Sequence, residues 1–309
     1  MEYHNPVMLE ECLEALAIKA HGTYVDVTFG GGGHSKEILR KLNDDGCLVA
    51  FDQDKDAFAN SDIDDSRFVF VASNFRYMKR FLDYKKHLPV NGILADLGVS
   101  SHQFDELERG FSFRDAEKRL DMRMNQGQSF SAETLLNEYG EEKIADVLYM
   151  YGELRNSRHL ASAIVRSRKQ KGLKTVGDLL NVVEGQVKGM SNKFLAQLFQ
   201  ALRIEVNDEM GALREFLEAS YDVLAPGGRL VVMSYHSLED RLVKNFIKSG
   251  NVHGLVNKDE FGNIFRPFRQ VNKKTTTPSS MEISTNPRAR SAKLRVAEKN
   301  ESNSKNKRY

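Results

Sequence analysis

The stretch "VDVTFGGGGHS", Val25 to Ser35, sets an apolar run of β character against four consecutive glycines and then a segment of helical character. Four glycines strip every side chain from a turn, opening its backbone to close approach and to left-handed conformations. Strand, glycine turn and helix in that order form a place where a ligand can lie over unpaired backbone N–H groups. A chain built this way is constrained toward an α/β fold whose ligand sits at the carboxyl ends of parallel strands.

Further apolar runs agree. Thr23 to Thr28, Cys47 to Phe51, Phe68 to Val71, Gly92 to Leu97 and Arg229 to Ser234 read as buried parallel strands, the first three each followed by a helix. The alternation stops after Ser101 and resumes near Asn207. Between them, Ile144, Val147, Leu148 and Tyr151 fall at helical spacing. So do Val176, Leu179, Leu180 and Val183 behind a Thr175 N-cap, and Leu195, Leu198, Phe199 and Leu202. The expected organisation is an α/β domain in two parts, 1–104 and 207–298, around an inserted helical subdomain, 105–206, for substrate recognition. Residues 299–309 read as a disordered basic tail. Pro226-Gly227-Gly228 is expected to turn the chain from a helix into the last parallel strand.

The sequence holds no run of about eighteen apolar residues, and its first residues are acidic where a signal peptide would be basic and then apolar. A soluble, cytoplasmic chain that does not enter a membrane is the expectation. Cys12 and Cys47 are too few for a disulfide framework and lack zinc-site spacing, so both read as small core residues. The net charge of +2 hides a division: from Arg266 onward twelve Lys/Arg face three Asp/Glu. Such a basic end suits a polyanionic partner, and equally a solvated tail that keeps the protein soluble.

The glycine turn departs from the dinucleotide fingerprint G-x-G-x-x-G, since Ser35 stands where the third glycine belongs. Asp52 ends the second strand, where a carboxylate can accept hydrogen bonds from both hydroxyls of a ribose. Asp26 and Asp96 end two further strands. Carboxylates around the turn would repel a pyrophosphate but suit a cationic sulfonium and an α-ammonium, which favours S-adenosylmethionine over a nicotinamide dinucleotide. One of the two can also be a strand-end cap for nearby loops.

With these residues in view, the sequence closely resembles the bacterial ribosomal RNA small-subunit methyltransferase H (MraW) family. The resemblance is carried by "HNPVMLEE" at His4 to Glu11, "TFGGGGHS" at Thr28 to Ser35, "DLGVSSHQFD" at Asp96 to Asp105 and "RGFSF" at Arg109 to Phe113. It continues through "SYHSLEDRLVK" at Ser234 to Lys244 and "NPRARSAKLR" at Asn286 to Arg295. The resemblance implies a Rossmann-like class I methyltransferase sheet, S-adenosyl-L-methionine as cofactor, and N4-methylation of cytidine 1402 in the decoding centre of 16S rRNA within the small ribosomal subunit. It also implies cofactor contacts at Gly32, Gly33, His34, Asp52, Phe75, Asp96 and Gln103. His34 can serve through its backbone N–H or its ring.

The chemistry calls for no metal, because a sulfonium is already an activated methyl donor. Acceptors aimed at the cytosine N4 hydrogens would localise its lone pair for attack. Asp96, Tyr235 and His236 are the catalytic candidates: Asp96 ends the fourth strand, and the other two lie at the end of the last parallel one. Many amino-methyltransferases follow such an Asp with two prolines and an aromatic; here Leu97-Gly98-Val99 follows, so the base-stacking ring is sought in Tyr235, Phe111 or Phe113. Arg266, Arg269, Lys273, Lys274, Arg288, Arg290, Lys293 and Arg295 are the candidate phosphate contacts. Part of that segment can form a final strand that buries Ala292 and Leu294 and exposes Lys293 and Arg295. A nicotinamide oxidoreductase and a non-catalytic RNA-binding assembly factor are the rival readings. The sequence leaves open a homodimer, and whether the substrate is naked RNA or an assembled subunit.

Overall fold

The structure is a computed structural model that describes residues 6–301 apart from 188, 190, 257, 259, 263, 265 and 273, and apart from the side chain of Ser101. His4 of the first motif, the candidate Lys273 and most of the expected tail, 302–309, lie outside the described residues. The chain divides into two compact units, residues 1–98 with 210–309, and 99–209.

The first unit carries a sheet of seven strands: β1 (Thr23–Asp26), β2 (Cys47–Asp52), β3 (Phe68–Ala72), β4 (Val90–Asp96), β5 (Leu224–Ser234), β6 (Phe268–Gln270) and β7 (Lys293–Lys299). Their order is β3-β2-β1-β4-β5-β7-β6, parallel through β5, with β7 antiparallel to both neighbours. The order reverses between β1 and β4, which opens a crevice at their carboxyl ends. Helices α1 (Leu9–Leu16), α2 (Gly33–Lys41), α3 (Lys55–Ala59) and α4 (Met78–Tyr84) accompany the first strands. Tyr24, Leu48, Leu94, Val231 and Leu294 from the strands pack with Met8, Cys12, Leu16 and Ile38 from α1, its N-cap and α2 in one apolar cluster. Each large side chain fully buried there contributes about 1.5–3 kcal/mol.

The second unit holds α5 (Ser101–Asp105), α6 (Ala132–Glu138), α7 (Glu141–Met150), α8 (Ser157–Arg168), α9 (Val176–Glu184) and α10 (Asn192–Asn207). Its own core gathers the buried stripes of these helices, among them Ile144, Val147, Leu148, Val176, Leu179, Val183, Leu198, Phe199 and Leu202. Thr175 caps α9 in a reciprocal box with Asp178, worth about 1 kcal/mol. The unit opens at Val99 rather than at residue 105, because a Ser100–Gln103 capping box starts α5 there with no apolar periodicity to announce it.

The first unit then resumes with α11 (Glu209–Val223), α12 (Ser237–Ser249) and α13 (Ser280–Thr285) around β5, β6 and β7. Pro226-Gly227-Gly228 lies inside β5 as a bulge: Val90 pairs with Leu224 and Gly92 with Arg229, and Gly227 takes φ +75°. β7 extends the final strand through Lys299, the first residue of the expected tail. That ammonium is buried, donating to the carbonyls of Tyr221 and Leu224 at 2.6 Å each. Among the described residues no helix is long and apolar enough to cross a membrane.

Candidate active site

The glycine turn is shaped first by the protein's own atoms. Gly30 and Gly32 take φ +53° and +75°, a region in which residues with a side chain are strained. A Cβ on Gly32 would lie 2.7 Å from Phe29 Cζ, and one on Gly33 only 2.3 Å from Pro6 Cγ. Space at Gly30 is open, and its N–H donates to Asp52 Oδ2 at 2.8 Å. Gly33 begins α2, whose first amides have no side-chain cap. The His34 ring is committed elsewhere: Nε2 lies 3.1 Å from the carbonyl of Val7, and burial holds the imidazole below its usual pKa, hence neutral.

Three strand-end carboxylates surround the turn, held in three ways. Asp26 is 1% exposed and accepts from Ser35 Oγ at 2.7 Å and from the Thr28 N–H at 3.1 Å. It ties the first turn of α2 to β1, and so is the strand-end cap of the pair. Asp52 accepts from Gly30 N–H at 2.8 Å with Oδ2 and from Asp54 N–H at 2.9 Å with Oδ1, so each oxygen keeps a lone pair. Asp96 accepts at Oδ1 from the Tyr235 hydroxyl at 2.7 Å, while Oδ2 has no hydrogen-bond partner among the described residues. Burial pushes Asp52 and Asp96 up to about 6, with neighbouring carboxylates adding to it and hydrogen bonds opposing it.

The end of β5 is built around Glu239. His236 is the N-cap of α12, and its Nδ1 accepts from the Glu239 N–H at 3.4 Å. Its Nε2 stands 3.1 Å from Glu239 Oε1 without the alignment of a hydrogen bond. Nδ1 thus serves as the side-chain cap of α12. The Tyr235 ring packs against the sheet's apolar cluster. The other two rings considered for stacking are core residues of the helical unit: Phe111 is 4% exposed, and Phe113 meets Phe199 at 5.6 Å between centroids.

Phe75 follows β3 in a single 3₁₀ turn capped by Asn74, its ring edge-on to Phe216 at 5.5 Å. Asn74 Nδ2 also donates to Gln53 Oε1 at 2.9 Å, a pairing of two strand-end amides that no local sequence signal announces. Gln103 belongs to the helical unit, where its amide oxygen accepts from the Ser100 N–H at 3.0 Å.

The basic candidates differ in exposure and in the ion pairs they make. Arg295, expected to be exposed, makes a two-pronged pair with Asp240 at 2.7 and 3.1 Å, and its side chain is only 13% exposed. Arg269 is paired with Glu298 at 2.7 Å. Leu294 of β7 and Ala292 just before it are buried as alternation requires, but Asp240 of α12 draws the Arg295 side chain inward. Arg266, Lys274, Arg288, Arg290 and Lys293 are exposed, and Lys293 also lies 3.7 Å from Asp240.

A parallel sheet reversed at β1 and β4, an antiparallel β7 between β5 and β6, a glycine turn over a helix N-terminus and free carboxylate lone pairs at the strand ends define a class I, Rossmann-like methyltransferase. The model of the MraW methylase family matches residues 1–300, and the chain belongs to that family. Three relatives, each called ribosomal RNA small subunit methyltransferase H, come from Bacteroides fragilis, Parabacteroides distasonis and Flavobacterium johnsoniae. The first is 55% identical over 96% of this chain and 97% of its own. The second is 57% identical over 96% and 97%, and the third 54% over 97% and 98%. Membership removes the nicotinamide oxidoreductase reading and makes S-adenosyl-L-methionine the cofactor. The residues present fit it: Asp52 has lone pairs left for ribose hydroxyls, and the anionic strand ends suit a cation.

Proposed function

We propose that the protein N4-methylates cytidine 1402 in the decoding centre of 16S rRNA, acting in the cytoplasm on the small ribosomal subunit. The observation that carries this reading is end-to-end similarity at 54–57% identity to proteins named for methylation of that subunit's RNA. The site's chemistry supports it. When bound, S-adenosylmethionine supplies an electrophilic methyl group. Gly32, Gly33 and the His34 backbone would hold it over the N-terminus of α2, with Asp52 on the ribose and Phe75 beside it.

Asp96 is the acceptor for the reacting amine. With its pKa near 6 it is ionised at neutral pH, and its Oδ2 can accept an N4 hydrogen, drawing the nitrogen lone pair out of conjugation. Tyr235 keeps the other oxygen occupied, and His236 shapes the turn that carries Tyr235. The proton displaced after transfer leaves to solvent. Exposed Arg288, Arg290 and Lys293 are the phosphate contacts, and the helical unit recognises the RNA around the target.

The test is to map modified cytidines in small-subunit RNA from cells lacking the protein. Loss of N4-methylation at one decoding-centre cytidine, restored by the wild-type gene, is the expected result; an unchanged modification pattern would overturn the reading.

A further inference from the structure

The turn from β5 into α12 is gripped by a carboxylate to which neither cofactor binding nor RNA docking assigns a part. Glu239 is 2% exposed and stands at the third position of α12, from which a Glu ordinarily reaches back to the N–H of the capping residue. Here the shorter bond goes one residue further back. Oε2 accepts from the Tyr235 N–H at 2.9 Å, against 3.4 Å for the His236 N–H. Tyr235 is the residue whose hydroxyl meets Asp96 Oδ1 at 2.7 Å. Its ring also runs past Gly98, where a Cβ would lie 3.6 Å from Tyr235 Cδ2. The ring is rigid and packed against the sheet's apolar cluster, so a shift of its main chain is felt at its oxygen, where a short hydrogen bond tolerates little displacement.

We propose that Glu239 is a positioning residue for methyl transfer, acting through the Tyr235 hydroxyl to hold Asp96 with Oδ2 presented to the reacting amine. The inference rests on the reading of Asp96 given above. A plain helix cap would affect stability alone, whereas positioning makes the effect of residue 239 on rate depend on the hydroxyl at 235.

The groups that face Asp96 are His34 from α2, Tyr235 from the end of β5, Asp26 from β1, Glu239 from α12 and Cys12 from α1. Of these, the Tyr235 hydroxyl lowers the Asp96 pKa and the Glu239 charge raises it. Removing the hydroxyl and removing the charge therefore move the acidic limb of the rate profile in opposite directions.

The experiment is a double-mutant cycle on the full chain with S-adenosylmethionine and isolated small ribosomal subunits. Glu239→Ala and Tyr235→Phe should each lower kcat about tenfold, the size of one hydrogen bond to a charged group. The double variant should fall no more than about twofold below Tyr235→Phe alone. Glu239→Gln, which keeps the acceptor, should return kcat to within about threefold of wild type and move the acidic limb to lower pH, while Tyr235→Phe moves it to higher pH. Losses that multiply in the double variant would overturn the proposal. If Glu239→Ala does not fold, Glu239→Asp, which keeps the charge and withdraws the acceptor from the Tyr235 N–H, takes its place in the cycle, and losses that multiply with Tyr235→Phe overturn the proposal. Asp96→Asn run alongside separates the two readings. Wild-type kcat there removes Asp96 as acceptor; a large loss there with multiplying losses in the cycle removes the part given to Glu239 alone.

Discussion

Asp52 and Asp96 end the two strands that flank β1, and burial pushes both up to about 6, yet they are held by different means. Asp52 is gripped by main chain, through the N–H groups of Gly30 and Asp54. Asp96 is gripped by a side chain, the hydroxyl of Tyr235, itself set by Glu239. Backbone donors are fixed by the fold and survive most substitutions, which suits a constant task such as holding a ribose. A carboxylate held by a phenol has an orientation and an acidity that one side chain can alter, which suits the group facing the chemistry.

The comparison breaks most severely at Asp96. Asp96→Ala should lower kcat about a hundredfold or more, the usual cost of losing one preorganised polar partner of a reacting group, measured as single-turnover methyl transfer at saturating cofactor. Asp52→Ala should act on the other side, weakening S-adenosylmethionine binding by about 1.5–3 kcal/mol in calorimetry as a hydrogen bond to a charged group is lost.

Acidity sharpens the contrast. Both carboxyls have folded pKa values above the ordinary carboxylate value, so in the ligand-free protein each stabilises the fold when protonated. That contribution is complete below about pH 4 and lost as pH rises through about 6. Binding of a cationic cofactor has the opposite sign. Affinity should fall below pH 6 by up to about tenfold per pH unit for each carboxylate that must be ionised, and Asp52→Asn should flatten that fall.

The smallest effect is expected away from both carboxylates. Neutralising Arg288, Arg290 and Lys293 together should make the dependence of log K for RNA on log salt shallower, by about 0.7–0.9 for each phosphate that the protein no longer neutralises, with cofactor affinity unchanged. A folded triple variant with the wild-type salt slope would place the RNA surface elsewhere.

What could be read in the sequence follows the same divide. The strand, glycine turn and helix lie within Val25 to Ser35, and Asp52 is found by its distance from Gly30, because local chain geometry sets that part of the site. The Asp96–Tyr235 bond joins residues 139 apart, and Arg295 finds Asp240 across 55. No periodicity encodes such pairs; they arise only when β4, β5, β7 and α12 come together. The result is that Tyr235, one of three rings considered for stacking, and Arg295, expected on the surface, both have inward partners. Glu239 does carry a local signal, an acidic residue three places after the N-cap of α12, but that signal marks a helix start and not a bond to Tyr235. The helical unit shows the same limit: apolar spacing marked α7, α9 and α10, while α5, opened by a capping box alone, gave its beginning no periodic trace.

The central claim is that the main-chain-held carboxylate binds and the side-chain-held one reacts. It is tested most directly by measuring cofactor Kd and the single-turnover rate at saturating cofactor for Asp52→Ala and Tyr235→Phe side by side. The account predicts a crossed result: Asp52→Ala raises Kd at least tenfold with a rate within about threefold of wild type, and Tyr235→Phe leaves Kd within about threefold while the rate falls about tenfold. If Asp52→Ala instead slows the saturated rate, or Tyr235→Phe changes only Kd, the division of labour between the two carboxylates is contradicted.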